Sequence, residues 1–211
     1  MSPDALANGQ DHSRKAFLFE LDQLKLQVEV MALKVDQALE KTTQVLFTGD
    51  SDLAFEVIAG DNEIDETLIS LTERCYDVLV RQNPVATDLR LVMSVLRIIS
   101  DLERMGDLCL RIVKLAPEQP RLAERQETFT ILRSMANEAL SLFHAAIRAW
   151  SAEDLELAKS LEARDDAMDD HNAALMEAIL RLDGPDAVPV AVSTLLAGRA
   201  LERIADHAVM V

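Results

Sequence analysis

The sequence predicts an all-α protein built from two tandem, pseudo-repeated three-helix bundles with six long helices. Its composition is typical of helical proteins, because 49% of the 211 residues are hydrophobic, 4% are aromatic, and only six are Gly and six Pro. Apolar residues recur at helical spacing along the chain, and the second half repeats the pattern of the first. These observations together predict a duplicated helical bundle.

Turn and capping signals divide the chain into six helical segments. Gly49 ends the first segment, and Pro84 follows the second at what we expect to be a first helical position. Pro117 and Pro120 end the third. Residues 151–154 form a turn with an N-cap after the fourth, and residues 183–186 separate the last two. The expected segments are 14–48, 50–82, 84–116, 121–150, 153–182 and 186–211.

The first segment carries an apolar seam in alternating steps of three and four residues, as expected for a helix packed between antiparallel neighbours. A shift of 104 residues brings this seam onto the fourth segment with the same phase. The seam consists of Phe17, Leu21, Leu24, Val28, Met31, Val35, Ala38 and Val45. We expect a disordered tail at residues 1–13, a first bundle at 14–117 and a second at 118–211.

The net charge narrows the possible partners. With 21 basic and 37 acidic residues the chain carries −16, which repels nucleic-acid phosphates and anionic lipid and suits cations or a basic protein surface. Cys75 and Cys109 lie in apolar helical context and are expected to be buried thiols in a reducing compartment. There is no signal-peptide pattern and no apolar run of bilayer length, so we expect a soluble, cytoplasmic protein.

Four pairs of carboxylates at i,i+4 spacing are the strongest functional signal. Each pair points two negative charges to one side of a helix, where they repel unless solvent, an arginine or a cation offsets them. The 104-residue shift superposes the first pair on the third, and a shift of 99 superposes the second on the fourth. The pairs are Asp61/Asp65, Glu103/Asp107, Asp165/Asp169 and Glu202/Asp206.

Glu103 and Glu202 occupy positions where the apolar pattern calls for a hydrophobic residue. In the sixth segment the predicted seam runs through Val192, Leu195, Glu202 and Val209. A buried carboxylate must be paired, hydrogen-bonded, protonated or metal-bound. If the second and third helices of each repeat are antiparallel neighbours, the eight carboxylates form two clusters of four, whose oxygen ligands suit Mg, Mn, Ca or iron. The alternative is a helical scaffold whose carboxylates are solvated or paired with arginines, namely Arg90, Arg97, Arg104, Arg199 or Arg203.

The histidines give weaker signals. His171 and His207 lie beside the acidic pairs and are candidates for a further ligand, although surface or packing roles are commoner. His144 lies on a helix and is expected to be structural. The Glu-x-x-His spacing of ferritin-like oxidases is absent, as are a nucleophile–base set and a phosphate-binding glycine loop, so the sequence does not predict an enzyme.

The chain resembles the PhoU family of phosphate-transport regulators over nearly its whole length. The resemblance is carried by GDNEID (60–65), QNPVATDLR (82–90), DLERMGDLCLRI (101–112), ARDDAMDDH (163–171) and ALERIADHA (200–208). It implies a multinuclear metal site on each bundle, at the eight carboxylates named above, holding Mg, Mn, Fe or Zn. Asp186-Ala187-Val188 departs from the Asp-Leu-Arg of residues 88–90, so Arg90 has no counterpart in the second repeat.

The same resemblance implies a regulatory role. Such a protein is expected to be a cytoplasmic homodimer that reaches the membrane only through its partners. These would be a phosphate sensor histidine kinase and the ATPase subunit of a phosphate ABC transporter. It would repress the phosphate-starvation response and restrain phosphate uptake when phosphate is plentiful.

Overall fold

The computed structural model describes residues 14–211 in full and, before them, only the helical backbone from Pro3. The expected disordered tail, residues 1–13, falls outside the fully described residues. The described backbone is helical from end to end, apart from short connections, and has no strand. Its helices are α1 (Pro3–Thr48), α2 (Ser51–Gln82), α3 (Ala86–Val113), α4 (Gln119–Glu124), α5 (Gln126–Ala152), α6 (Leu155–Leu180) and α7 (Ala187–Met210).

The N-caps of α2 and α6 show the duplication at atomic level. The Asp50 carboxylate accepts hydrogen bonds from the second and third backbone amides after it, at 2.9 and 3.1 Å. Asp154, 104 residues later, accepts the equivalent pair at 3.1 and 3.0 Å. Each cap satisfies two amides that the first helical turn leaves unpaired. The N-cap expected within residues 151–154 is therefore confirmed.

Two expected boundaries are wrong, and both involve proline. Pro84 is not a first helical residue: Asn83 ends α2 in the left-handed conformation at φ 45°, Val85 is extended, and α3 begins after it. Pro120 does not end a segment but lies in the first turn of the short α4, where its missing amide costs nothing. A proline therefore indicates that a helix boundary is near, but not whether the helix ends before it or begins with it.

The helices form two repeats that share one core. In each repeat, α1–α3 or α5–α7, every helix packs against the other two, and the repeats join where α3 meets α7 and α1 meets α5. The buried hydrophobic residues of both repeats form one continuous cluster. The predicted seam of α1 is confirmed, because all its members are buried except Ala38, which is partly buried.

Two histidine–carboxylate pairs cross the junction between the repeats. His207 Nδ1 lies 3.0 Å from Asp101 Oδ1, joining α7 to α3. His144 Nε2 lies 2.7 Å from Asp36 Oδ1, joining α5 to α1. All four side chains are partly exposed. Polar contacts therefore border the apolar core at both helix–helix junctions.

The two cysteines are fully buried, and burial raises the pKa of Cys75 to about 11 and that of Cys109 to about 12. Because only the thiolate is nucleophilic, at pH 8 about one thiol in a thousand or fewer is reactive at either position. We expect neither cysteine of the native protein to react with a thiol-specific dye at pH 8, and both to react after denaturation. Rapid labelling of the native chain would contradict this.

Within the described residues, no helix has the length and apolarity needed to cross a bilayer.

Candidate functional site

The four acidic pairs lie on helices that pack together in twos. α2 packs against α3 in the first repeat and α6 against α7 in the second. We call the carboxylates of α2 and α3 the first cluster and those of α6 and α7 the second cluster. The first cluster is Asp61, Asp65, Glu103 and Asp107; the second is Asp165, Asp169, Glu202 and Asp206.

In the first cluster the carboxylates of the two helices influence one another. Burial, followed by the charges of Asp65 and Asp107, raises the pKa of Asp61. Burial and the charge of Asp107 raise the pKa of Glu103, Arg104 lowers it, and the two α2 carboxylates raise it further. The structure thus brings the α2 pair and the α3 pair together, as the sequence predicted.

Gly106 makes this approach possible. A Cβ built at Gly106 would lie 3.3 Å from Asp61 Oδ1 and 3.3 Å from Ile64 Cδ1. Such a contact is tighter than most Cβ contacts, so an alanine here would require Asp61 or Ile64 to move by a few tenths of an ångström. Glycine here lets an oxygen ligand approach the neighbouring backbone closely.

In the second cluster, too, burial and neighbouring charges raise the pKa of carboxyl groups. Burial and then the charges of Asp206 and Asp169 raise the pKa of Asp165. Burial also raises the pKa of Glu202 and of Asp206, and Asp169 contributes to both increases. For Asp206 the neighbouring His207 acts in the opposite direction. Carboxylates of α6 and α7 therefore converge as those of α2 and α3 do.

The expected burial of the two glutamates in the apolar seam is wrong in degree. Their side chains are 21% exposed at Glu103 and 15% at Glu202, so both lie at the edge of the core.

In α7 the predicted seam residue Val192 is 51% exposed, and the buried face is made instead largely of small residues. The small residues are Ser193, Thr194, Ala197, Gly198, Ala200, Ala205 and Ala208. Small side chains carry little hydrophobic signal, which is why the sequence pattern misplaced the face.

Arginines neutralise the glutamates only in part, and differently in the two repeats. Arg104 Nε lies 3.8 Å from Glu103 Oε2, whereas Arg199 Nη1 lies 3.0 Å from Glu202 Oε1. Both arginine side chains are more than half exposed, so each pair contributes about 1 kcal/mol at most. The equivalent of Arg104 in the second repeat is Arg203, not Arg199. The acidic pairs are duplicated, but the arginines that contact them are not.

Three observations test whether a cation fits the clusters. Glu202 Oε2 is buried and has no hydrogen-bond partner among the described residues, which leaves one acceptor free. Gly106 leaves room for the Asp61 carboxylate beside α3. The donors are all carboxylate oxygens, which suit hard or borderline cations. The residues present therefore fit a metal ion.

The raised pKa values predict how stability depends on pH. For Asp61, Glu103, Asp165, Glu202 and Asp206 the folded pKa lies above the unfolded one, so the folded chain binds more protons between the two values. Their contribution to the stability of the fold is complete below the ordinary pKa values of 3.8 for Asp and 4.5 for Glu, and it is lost as the pH rises through the raised values.

We therefore expect the stabilising contribution of these five groups to the metal-free protein to be largest near pH 4.5 and to fall, with the melting temperature, as the pH is raised from there towards 7.5. Differential scanning calorimetry in chelator-containing buffers would measure the difference. One kcal/mol corresponds to about 2–4 °C for a chain of this size. A melting temperature that rises steadily from pH 4.5 to 7.5 would show that burial and repulsion within the clusters have a negligible effect on stability.

A further group of possible ligands was not foreseen from the sequence. One ligand atom from each of Asp36, Glu40 and His144 lies within 4.8 Å of the other two. Within the fully described part of the chain, none of the eight predicted carboxylates forms so tight a group of three. The only available signal was that Glu40 and His144 are 104 residues apart, the repeat distance itself.

Comparison with known proteins agrees with this architecture. The PhoU domain matches residues 28–116 and 132–211, once in each repeat. The "Phosphate-specific transport system accessory protein PhoU" of Edwardsiella tarda is 28% identical over 202 residues, which cover 95% of this chain and 83% of that protein. The "Phosphate-specific transport system accessory protein PhoU homolog 2" of Mycobacterium tuberculosis is 32% identical over 199 residues, 94% of this chain and 93% of its relative.

The likeness extends to three dimensions. The crystal structure of PhoU from Pseudomonas aeruginosa superposes with a TM-score of 0.86 at 27% identity, covering 91% of this chain and 93% of that one. Sequence matches in both repeats and a shared fold across nine-tenths of the chain agree with each other. The chain therefore belongs to the PhoU family.

Proposed function

We propose that this protein is a cytoplasmic regulator of phosphate homeostasis that acts as a metal-binding adaptor. It represses the phosphate-starvation two-component response and restrains uptake by a phosphate ABC transporter when phosphate is plentiful. Family membership supports the link to phosphate transport, because the relatives are named as accessory proteins of a phosphate-specific transport system. The proposed partners are the sensor histidine kinase and the transporter's ATPase subunit, and the proposed assembly is a homodimer.

The metal-binding part rests on one observation: burial and the charges of neighbouring carboxylates on two packed helices raise the pKa of Asp61 and Glu103 in the first repeat and of Asp165, Glu202 and Asp206 in the second. When bound, a divalent or trivalent cation would offset this repulsion. The ligands would be the first cluster in one repeat and the second cluster in the other. Their role is to bind and orient, with no catalytic step.

A scaffold without metal is the second candidate, and the ion pair between Arg199 and Glu202 favours it. In that case the acidic pairs would only keep the helices soluble and correctly paired. The arginine contacts differ between the repeats, however, whereas the acidic pairs do not. A duplicated feature is better explained by a duplicated ligand than by two unrelated ion pairs.

Elemental analysis tests the metal. The protein would be purified without added metal, analysed by mass spectrometry, stripped with chelator and exposed in turn to Mn, Mg, Fe and Zn. We expect bound metal at both clusters, lost on stripping and regained on exposure. Stoichiometry near zero, with no rebinding, would favour the scaffold.

A reporter strain tests the regulation separately. Deletion of the gene should raise alkaline-phosphatase expression in high phosphate, and the intact gene should restore repression. Expression that stays repressed after deletion would overturn the regulatory role whatever the metal content. Affinity capture from cells grown in high and low phosphate would then identify the partners, with the kinase and the transporter ATPase expected among them.

A further inference from the structure

The junction between the repeats carries a second kind of ligand group. α1 and α5 are the first helices of the two repeats, and they pack against each other. Glu40 on α1 and His144 on α5 are 104 residues apart, so they occupy equivalent positions and face each other across the junction. Asp36 lies one helical turn before Glu40 on the same face of α1.

The geometry is close to that of a metal site. His144 Nε2 is 2.7 Å from Asp36 Oδ1, and one ligand atom from each of Asp36, Glu40 and His144 lies within 4.8 Å of the other two. Around a tetrahedral zinc ion with bonds of about 2.0–2.2 Å, ligand atoms lie about 3.3 Å apart. The contact between His144 and Asp36 is shorter than this value and the 4.8 Å limit on the group is longer, so side-chain rotation would be needed to bring the three ligand atoms to coordinating distances.

The group is accessible to an ion from solvent. The side chains of His144 and Asp36 are 41% and 27% exposed, and both line an open cavity of about 480 Å³. Water in such a cavity can supply the fourth ligand that a three-residue site leaves open. Among the described residues, no lysine or arginine forms an ion pair with either carboxylate of the group, although Arg148 lines the same cavity.

The donor set differs chemically from the two acidic clusters. Carboxylate oxygens alone suit Mg and Mn, whereas an imidazole nitrogen with two carboxylates suits zinc and its neighbours among the divalent transition metals. We propose that Asp36, Glu40 and His144 form an inter-repeat site for a divalent transition metal of the zinc class. The ion would replace the hydrogen bond between His144 and Asp36, with the Nε2 lone pair as ligand and the ring proton on Nδ1.

Such an ion would link α1 of the first repeat to α5 of the second. The acidic clusters lie between helices of the same repeat, so binding there does not tie one repeat to the other in this way. Metal at the junction would instead stabilise the arrangement of the two repeats. This proposal does not depend on the regulatory function or on metal at the acidic clusters.

Zinc titration of the full chain tests the proposal. In isothermal titration calorimetry, His144→Gln and Asp36→Asn should each lower the affinity for one equivalent of zinc by at least about tenfold relative to the parent. Glu29→Gln is the matched control, because Glu29 lines the same cavity and loses the same charge without belonging to the group. We expect its zinc affinity to equal that of the parent.

A residue-specific readout separates this site from the acidic clusters. In ¹⁵N spectra of the imidazoles, one equivalent of zinc should shift the Nε2 resonance that His144→Gln removes. The same shift should appear in a chain carrying Glu103→Gln and Glu202→Gln, in which the clusters are weakened. If His144→Gln fails to fold, Glu40→Gln takes its place, because it removes one proposed ligand at an exposed position. It leaves the hydrogen bond between His144 and Asp36 intact.

Two results would overturn the proposal. One is an Nε2 resonance of His144 that does not move at stoichiometric zinc. The other is a zinc stoichiometry and affinity that are the same in the parent, His144→Gln and Glu40→Gln. Either would leave the hydrogen bond between His144 and Asp36 as a structural contact between the repeats, and neither would affect the elemental or reporter tests of the proposed function.

Discussion

Replacing Glu103 and Glu202 together by glutamine is expected to weaken metal binding at both acidic clusters while the fold is retained. Each change removes one proposed anionic ligand. Losing a residue that only hydrogen-bonds to a metal ligand typically lowers metal affinity about tenfold or more, so losing the ligand itself should lower the affinity at least as much. Glutamine has nearly the same shape and lies at the edge of the core, where both glutamates are partly exposed. The fold should therefore tolerate it.

Stability should change in opposite directions with and without metal. In the metal-free protein, burial and neighbouring carboxylates penalise the charged forms of both glutamates, so neutral glutamine should leave stability unchanged or raise it slightly. With metal in excess, the tenfold weaker affinity should remove about 1.4 kcal/mol of stabilisation per site. Calorimetric melting in chelator and in saturating Mn²⁺ would measure both effects.

Glu73→Gln with Glu177→Gln is the matched control. These two residues are exposed, equivalent by the 104-residue shift, and lie on α2 and α6 without belonging to either cluster. This pair changes the net charge equally and should leave metal affinity unaltered. If the variant at 103 and 202 bound metal as tightly as this control, the clusters would not be the metal site and the scaffold would be favoured.

Gly198→Ala is expected to destabilise the protein by about 1–2 kcal/mol, although alanine is the better helix former. A Cβ at this position of α7 would fall well inside the van der Waals radius of Leu175 Cδ2 on α6. Leu175 is 1% exposed, and Leu132 Cδ2 lies 3.8 Å from the same Cβ position, so Leu175 has little room to move. The clash should cost about 1–3 kcal/mol, offset by about 1 kcal/mol of helix propensity.

Gly60→Ala should have the opposite effect. A Cβ at this exposed position of α2 meets nothing within 4 Å, so the helix gains about 0.5–1 kcal/mol. The two alanine variants should thus melt several degrees apart, with the parent between them. Chemical denaturation should rank the three proteins in the same order of stability.

Two observations would distinguish the clash from a general effect of mutation. Adding Leu175→Val to Gly198→Ala should recover part of the loss, because it removes the atoms that the new Cβ contacts. Gly198 also lies one turn before Glu202, so separation of α6 from α7 should weaken metal binding at the second cluster and leave the first unchanged. A stabilised Gly198→Ala would show that Leu175 repacks freely.

The sequence by itself determined the helical class, the duplication and the identity of the paired carboxylates. Helical periodicity and the constant shift are local properties of the chain, and the N-cap within residues 151–154 could likewise be predicted without coordinates. The α1 seam was equally clear because its residues are large and apolar. Where the buried face consists of small residues, as around Gly198 in α7, the pattern failed and placed Val192 inside.

Only the tertiary structure decided which groups meet across helices. The approach of Asp61 to α3 depends on the missing side chain of Gly106, and no spacing in the sequence reveals such a contact. The junction group of Asp36, Glu40 and His144 depends on how α1 crosses α5, a matter of packing between repeats rather than of periodicity within one. Side chains 104 residues apart come together because the duplicated helices face each other, and only the folded chain brings them to that position.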